Sequence, residues 1–279
     1  MARRGGGVMT VTMAGPAGLG PSFPAGGGER LNVNVADRET LFDLVAARLA
    51  AGRGFTVATL NLDHLVKLRR DPAFRAAYRA TDFVVADGNP VVWLSRLAGR
   101  KVGLAPGSEL VGPLCALAAR LDAPVALYGS TTAALDEAAE RLEAAHPGLR
   151  VVFRRAPAFG FDPDGAVATA DAGAIAESGA RLCLLALGAP RQERFAVRAQ
   201  AAAPACGFVS VGAGVDFIAG TQTRAPLWAR RLAMEWVWRV AMEPRRLGRR
   251  YADCALLLPS LLFESIRRRF GSGDGDARK

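Results

Sequence analysis

Residues 81–93 read TDFVVADGNPVVW, and the reading of this stretch decides the fold. Phe83, Val84, Val85 and Ala86 form a short apolar run of the kind that makes a buried parallel strand. The run stops at Asp87-Gly88-Asn89-Pro90, a dense breaker cluster, and a helix-like segment follows through Val91, Val92, Trp93 and Leu94. In an open parallel sheet, ligands bind in the crevice beyond the carboxyl ends of the strands. Asp87 therefore stands where such a sheet places its chemistry. The same residue would also serve as a plain turn former or helix cap, since Asp-Gly is common in turns.

Outward from this stretch the alternation of strand and helix repeats. Upstream, LNVNV at 31–35 is strand-like, and Asp37 caps an amphipathic helix carrying Leu41, Leu44, Val45 and Leu49. A strand follows at 55–60, and a helix starting at Asn61–His64 carries Leu65, Leu68, Phe74 and Tyr78. Downstream, helices are expected near 89–98, 108–121, up to about 145, 164–178 and 190–202, with strands at 125–128, 151–153, 182–187 and 208–211. This order specifies an α/β protein with a Rossmann-like, doubly wound parallel sheet. The expected divisions are a disordered leader over 1–30, an α/β core over 31–223 and a basic C-terminal appendage over 224–279.

The chain has 279 residues, 51% of them hydrophobic, which is ample for a core, and a net charge of +10. Residues 224–269 hold eleven arginines and no lysine against four acids, a net +7 in the last part of the chain. Anionic partners follow from that balance: a nucleotide, a phospholipid surface or nucleic acid. Nucleic acid is disfavoured, because no recognisable module or aromatic-lined sheet face accompanies the charge. Four scattered cysteines without a CxxC pair read as buried thiols in a reducing compartment. The N-terminal stretch is broken by Gly and Pro throughout, unlike a signal peptide, and no run approaches the roughly 20 apolar residues that cross a bilayer. A cytoplasmic location is expected.

In the appendage, Arg231, Glu235, Arg239 and Glu243 fall four apart as a charge ladder, while Trp228, Leu232, Trp236 and Val240 line another helix face. Arginines at 245, 246, 249 and 250 follow, then an apolar stretch at 255–263 containing Pro259, then Arg267–Arg269. Arg with Trp and Leu suits the plane of an anionic membrane surface. A helical appendage docked on the core with solvated arginines fits the same residues.

Several strand-to-helix loops could meet a ligand. Gly188-Ala189-Pro190-Arg191-Gln192-Glu193 opens a helix whose N-terminus favours an anion such as a diphosphate. Gln192 offers an amide to a base or sugar hydroxyl, and Glu193 in the first turn complements the helix dipole. Gly212-Ala213-Gly214 resembles a phosphate-cradling loop but lacks the dinucleotide fingerprint. Gly129-Ser130-Thr131 could hold phosphate or simply cap a helix. Asp162-Pro163-Asp164 reads as surface turn chemistry, and His64 and His146 are too isolated for a metal cluster, so neither a metal nor another cofactor is expected.

Taken together, the segments resemble the WecG/TagA/CpsF glycosyltransferases, family 26 of the glycosyltransferase classification, from about Leu31 to Leu262. The resemblance rests on Thr59-Leu60-Asn61, Ala86-Asp87-Gly88, Pro106-Gly107-Ser108-Glu109-Leu110, Tyr128-Gly129-Ser130 and Gly188 to Glu193. Gly212, Ala219-Gly220, Arg224-Ala225-Pro226, Glu235-Trp236 and Glu243-Pro244-Arg245-Arg246 complete it. It implies metal-independent, inverting transfer of a sugar from UDP to an undecaprenyl-diphosphate-linked acceptor, by an enzyme peripheral on the inner face of the cell membrane. N-acetylmannosamine or its uronic acid is the implied donor sugar, with UDP-glucose or UDP-glucuronate as the alternative donors of related exopolysaccharide enzymes. Asp87 is implied as general base, and Thr59, Asn61, Gly88, Ser108, Gly129, Ser130, Gly188, Gln192, Glu193, Arg224 and Arg239 as substrate-binding residues. Many members carry an Arg at the position of Leu104; if that Arg holds the diphosphate, either Arg100, Lys101 or the tail supplies the charge here, or the donor differs. A non-catalytic UDP-sugar-binding module is the rival expectation, and a homo-oligomer is compatible with either.

Overall fold

Along each central strand the side chains alternate between two apolar layers, and this alternation explains why helices cover both faces of the sheet. The computed structural model describes residues 21–223, 225–226, 237–238, 240 and 244–271. An antiparallel hairpin comes first, β1 (Ser22–Gly26) and β2 (Glu29–Asn32). Then α1 (Arg38–Ala50) leads to β3 (Phe55–Leu60), α2 (Leu62–Arg70), α3 (Pro72–Ala80), β4 (Phe83–Ala86), α4 (Asn89–Leu97) and α5 (Gly107–Arg120). The second half runs β5 (Val125–Gly129), α6 (Thr132–Ala145), β6 (Val151–Arg155), α7 (Ala166–Glu177), β7 (Leu182–Ala186), α8 (Arg191–Ala202), β8 (Gly207–Ser210) and α9 (Gly214–Ala219). A long helix, α10 (Pro244–Gly271), ends the described chain.

The six strands β3 to β8 form one parallel sheet in the order β4-β3-β8-β7-β5-β6. Phe83 and Val85 face a layer built from α1, α5, α6 and α9, with Val57, Val125, Leu127, Leu184 and Val209. Val84 and Ala86 face the opposite layer of α2, α3, α4 and α10. On that side α7 and α8 cover β5, β7 and β8 through Tyr128, Phe195 and Phe208. The doubly wound expectation holds.

The structure differs from the sequence reading in three places. Residues 22–30, assigned to the leader, contain β1 and the start of β2; Phe23 and Ala25 are buried against α2, which gives a Gly-rich segment an apolar anchor. The expected strand at 31–35 splits. β2 stops at Asn32, and 33–35 runs along the free edge of β4, where the Asn34 side chain donates to Asp82 O and accepts from Val84 N, both at 2.7 Å. The single helix expected from 61 onward is two, because Pro72 has no N–H to continue the ladder and Asp71 instead caps Phe74 N at 3.0 Å. Beyond these, α10 runs unbroken through Pro259, whose exposed position leaves its missing hydrogen bond on the solvent side. The leader residues 1–20, the charge ladder and Arg224 and Arg239 lie outside the described residues.

Candidate active site

Strand polarity gathers the candidate loops. Leu60 pairs with Ala86, Gly129 with Ala186, and Leu185 with Ser210, so the segments at Asn61, Asp87, Ser130, Gly188 and Gly212 leave one carboxyl edge. The order of strands reverses here: β3 and β4 run to one end, β5 and β6 to the other, and β7 and β8 fill the space between. This is the switch-point geometry at which open α/β sheets bind ligands.

Asp87 follows β4 directly, with its backbone N–H bonded to Leu60 O at 2.8 Å. Its Oδ2 accepts from Asn61 Nδ2 at 3.3 Å, while Asn61 Oδ1 caps α2 by accepting from His64 N at 3.0 Å. One amide thus fixes a helix start and orients a carboxylate. Gly88 adopts φ +95°, a conformation that turns the chain sharply into α4 and that a side chain would strain. Leu104 forms a parallel bridge with Ala86, and Ala105 N bonds to Ala86 O at 2.8 Å. Leu104 is therefore a half-exposed residue beside the end of β4.

Beneath this edge lies a buried polar layer that sequence reasoning missed. His64 Nδ1 and Tyr78 Oη are 2.6 Å apart. Burial pushes the His64 imidazole down to about 3, so it stays neutral, and burial with the nearby Glu193, Asp87 and Asp63 raises the Tyr78 hydroxyl well above its ordinary value. Lys67 reaches Asp63 at 2.8 Å and donates to Ala189 O at 3.1 Å, and Arg250 of α10 meets the same Asp63 oxygen at 3.0 Å. The spacing of Asp63 and Lys67, four apart on a helix, was visible in the sequence; their partners, far along the chain, were not.

Gln192 and Glu193 are both buried, not exposed to the crevice. Gln192 donates from Nε2 to Glu193 Oε1 at 2.8 Å and accepts from Gly212 N on Oε1 at 3.2 Å. The Glu193 carboxyl is pushed up to about 7 by burial, with the Gln192 hydrogen bond and Lys67 pulling the other way.

On the far side of the crevice, Gly129 is obligatory: an added Cβ would lie 2.5 Å from Ala186 backbone atoms, at φ +118°. Ser130 hydrogen-bonds Asp216 of α9, a partner outside the predicted set. Ser108 sits in the first turn of α5, its Cα 3.0 Å from the position of a Cβ on Gly214, which brings it to the β8–α9 loop. Thr59 is buried one residue inside β3, paired with Val85. Gly188 is exposed at φ +70° at the start of the β7–α8 loop. Asp87, Asn61, Gly88, Gly188, Ser130 and Ser108 therefore share an edge, with Gln192 and Glu193 behind it.

A cavity of about 340 Å³ opens elsewhere, between α6 and β6 at the end of the sheet opposite Asp87. Its arginines are engaged, Arg154 with Asp136 at 2.8 Å and Arg155 with Asp171. Asp162 caps the turn at Asp164 N, and Asp164 pairs with Arg194, in keeping with surface turn chemistry. All four cysteines are buried free thiols. Among the described residues, no helix is long and apolar enough to cross a membrane.

Comparison with known proteins points to one family. The family model described as "Glycosyl transferase WecG/TagA/CpsF family" matches residues 29–272. A protein of Bacillus spizizenii (strain ATCC 23059 / NRRL B-14472 / W23), N-acetylglucosaminyldiphosphoundecaprenol N-acetyl-beta-D-mannosaminyltransferase, is 28% identical over 204 residues, 72% of this chain and 76% of the relative. A protein of the same name from Bacillus subtilis (strain 168) is 24% identical over 220 residues, 78% of this chain and 83% of the relative.

Proposed function

The chain belongs to the WecG/TagA/CpsF glycosyltransferase family, and from that premise we propose that it moves a sugar of the N-acetylmannosamine type from a UDP-sugar to an undecaprenyl-diphosphate-linked saccharide. The observation that carries the reading is Asp87, a carboxylate at the carboxyl edge of the sheet, oriented by Asn61 and followed by a glycine turn. In this mechanism Asp87 takes the proton of the acceptor hydroxyl as its oxygen attacks the anomeric carbon. The bond from that carbon to UDP breaks, UDP leaves with the bonding pair, and configuration inverts. One positioned carboxylate suffices for such a step, and general-base assistance is worth about 10²–10⁴-fold.

The reading is metal-independent. Diphosphate charge is met by helix N-termini and by arginines of the appendage, Arg224 and Arg239 among them. Gly88 and Gly188 let backbone approach the donor, Gly129 holds its loop close against the end of β7, Ser108 and Ser130 offer hydroxyls, and Thr59 and Gln192 shape the pocket from behind. The outward face of α10 supports action at a membrane surface. Leu256, Phe263, Ile266 and Phe270 are exposed along it, with exposed Arg245, Arg249, Arg267 and Arg269 nearby, while Cys254, Leu257 and Leu261 pack inward. Apolar side chains edged by arginine fit an anionic interface on the inner face of the cell membrane.

The test is UDP release from a panel of UDP-sugars, including UDP-glucose and UDP-glucuronate, with a short-chain polyprenyl-diphosphate-linked acceptor. Acceptor-dependent release from one donor, lost in Asp87→Asn, is expected. Donor binding without turnover on any acceptor would replace the transferase by a UDP-sugar-binding module.

A further inference from the structure

We propose that Glu193 is a positioning residue that, as a carboxylate, holds Gln192 in the one orientation that pins the Gly212 loop to α8. The geometry is a chain of two hydrogen bonds: Gln192 Nε2 to Glu193 Oε1 at 2.8 Å, and Gly212 N to Gln192 Oε1 at 3.2 Å. Both side chains are almost wholly buried, at 1% and 3% exposure, so water cannot substitute for either bond. An ionised carboxylate only accepts hydrogen bonds, which forces the NH₂ end of Gln192 toward Glu193 and its oxygen toward Gly212 N–H. A protonated carboxyl can also donate, so it tolerates the reversed amide, and the reversed amide would set NH₂ against the Gly212 N–H. Protonation of Glu193 thus removes the constraint on the Gln192 amide and weakens the pin on the loop that leads from β8 into α9.

Two features make this more than packing. Glu193 Oε2 is buried with no hydrogen-bond partner among the described residues, so an ionised carboxylate here is only partly hydrogen-bonded, through Oε1. Its carboxyl is pushed up to about 7 by burial, which places the change inside the physiological range. The groups that face it are Lys67 and Asp63 of α2 and Tyr78 of α3. The charge of Asp87 also acts on Tyr78, and Arg250 of α10 and Lys67 share Asp63. The strands packed with α8 supply apolar side chains, the Cys183 thiol of β7 and the buried Ser210 hydroxyl of β8, with the Cys206 thiol just before β8, while Asp171 of α7 is held by Tyr128 and Arg155. Lys67, which also ties Ala189 O of the β7–α8 loop, is the cation that favours the ionised form.

The catalytic part of this inference rests on the transfer reading above; the structural part does not. The test is hydrogen–deuterium exchange of the peptide spanning Gly212, corrected for the intrinsic pH dependence, from pH 5.5 to 8.5. One hydrogen bond of ordinary strength predicts that wild-type protection rises roughly 3- to 10-fold through about pH 7. Glu193→Gln should stay at the low-pH level at every pH, and Lys67→Met should move the wild-type midpoint upward. In turnover assays, wild type should gain an acid limb in kcat/KM that Glu193→Gln lacks. Protection that does not change with pH in wild type, or an unchanged transition in Glu193→Gln, would overturn the proposal. Absence of turnover with an intact exchange transition would count against the transfer reading and not against the latch.

Discussion

The two ends of β4 carry one aspartate each, and they are used in opposite ways. Asp82, just before the strand, is consumed by the scaffold. Its Oδ2 accepts from Thr56 N at 2.9 Å, Thr56 Oγ1 at 3.1 Å and Gln200 Nε2 at 3.3 Å, and Oδ1 faces Arg48 at 3.4 Å. Asp87, just after it, sits on the crevice edge with Asn61 as its orienting partner. Residue type is the same and the separation is one short strand. Strand polarity makes the difference: at the carboxyl edge of a parallel sheet the chain turns into helix N-termini, whose free N–H groups favour anionic ligands. At the amino edge the chain arrives from helix C-termini, where a carboxylate needs cationic and hydrogen-bonding partners to be tolerated.

The largest effect should come from Asp87→Asn, with kcat lowered about 10²–10⁴-fold and thermal midpoint unchanged. Equal loss of stability and activity would break the contrast between the two aspartates. Asp82→Ala should do the reverse, costing about 2–3 kcal/mol in denaturant unfolding by stranding Thr56 and Arg48, while the folded fraction keeps its turnover number. Glu193 sharpens the comparison as a third carboxyl, buried and held by a single side-chain amide. Its folded value, about 7, lies above the unfolded value near 4.5, so its stabilising contribution is complete below 4.5 and is lost as pH rises through 7. Glu193→Gln should therefore gain roughly 2 kcal/mol over wild type between pH 5 and pH 8, read from denaturation at the two pH values. Asn61→Ala is the smallest: about 1 kcal/mol from the lost cap of α2 and roughly tenfold in kcat from a misaligned Asp87.

How much of this was legible in advance follows from the range of each interaction. The strands at 55–60 and 83–86 could be read directly, because burial on both faces demands a continuous apolar run. Asp87 and Gly88 were legible for the same reason: an acid and a glycine at the end of such a run can only lie at the sheet edge. The β1–β2 hairpin was not, since Phe23 is anchored by residues of α2 that lie far along the chain. The break between α2 and α3 was present in Asp71-Pro72 but outweighed by the apolar period across it.

Glu193 shows the limit most clearly. An acid in a first helical turn is ordinarily solvated and complements the dipole, and its local sequence carries no other message. Burial under α2 and α3, and the Gly212 N–H that orients the neighbouring Gln192 amide, change its chemistry, and these come from separate parts of the chain. The order of residues alone determined the parallel sheet, its polarity and the aspartate at its edge, because hydrophobic period and breaker position are local properties. Tertiary structure decided which carboxylate is tied, which is presented and which is buried near neutrality, because desolvation and hydrogen-bond partnership exist only once distant segments meet.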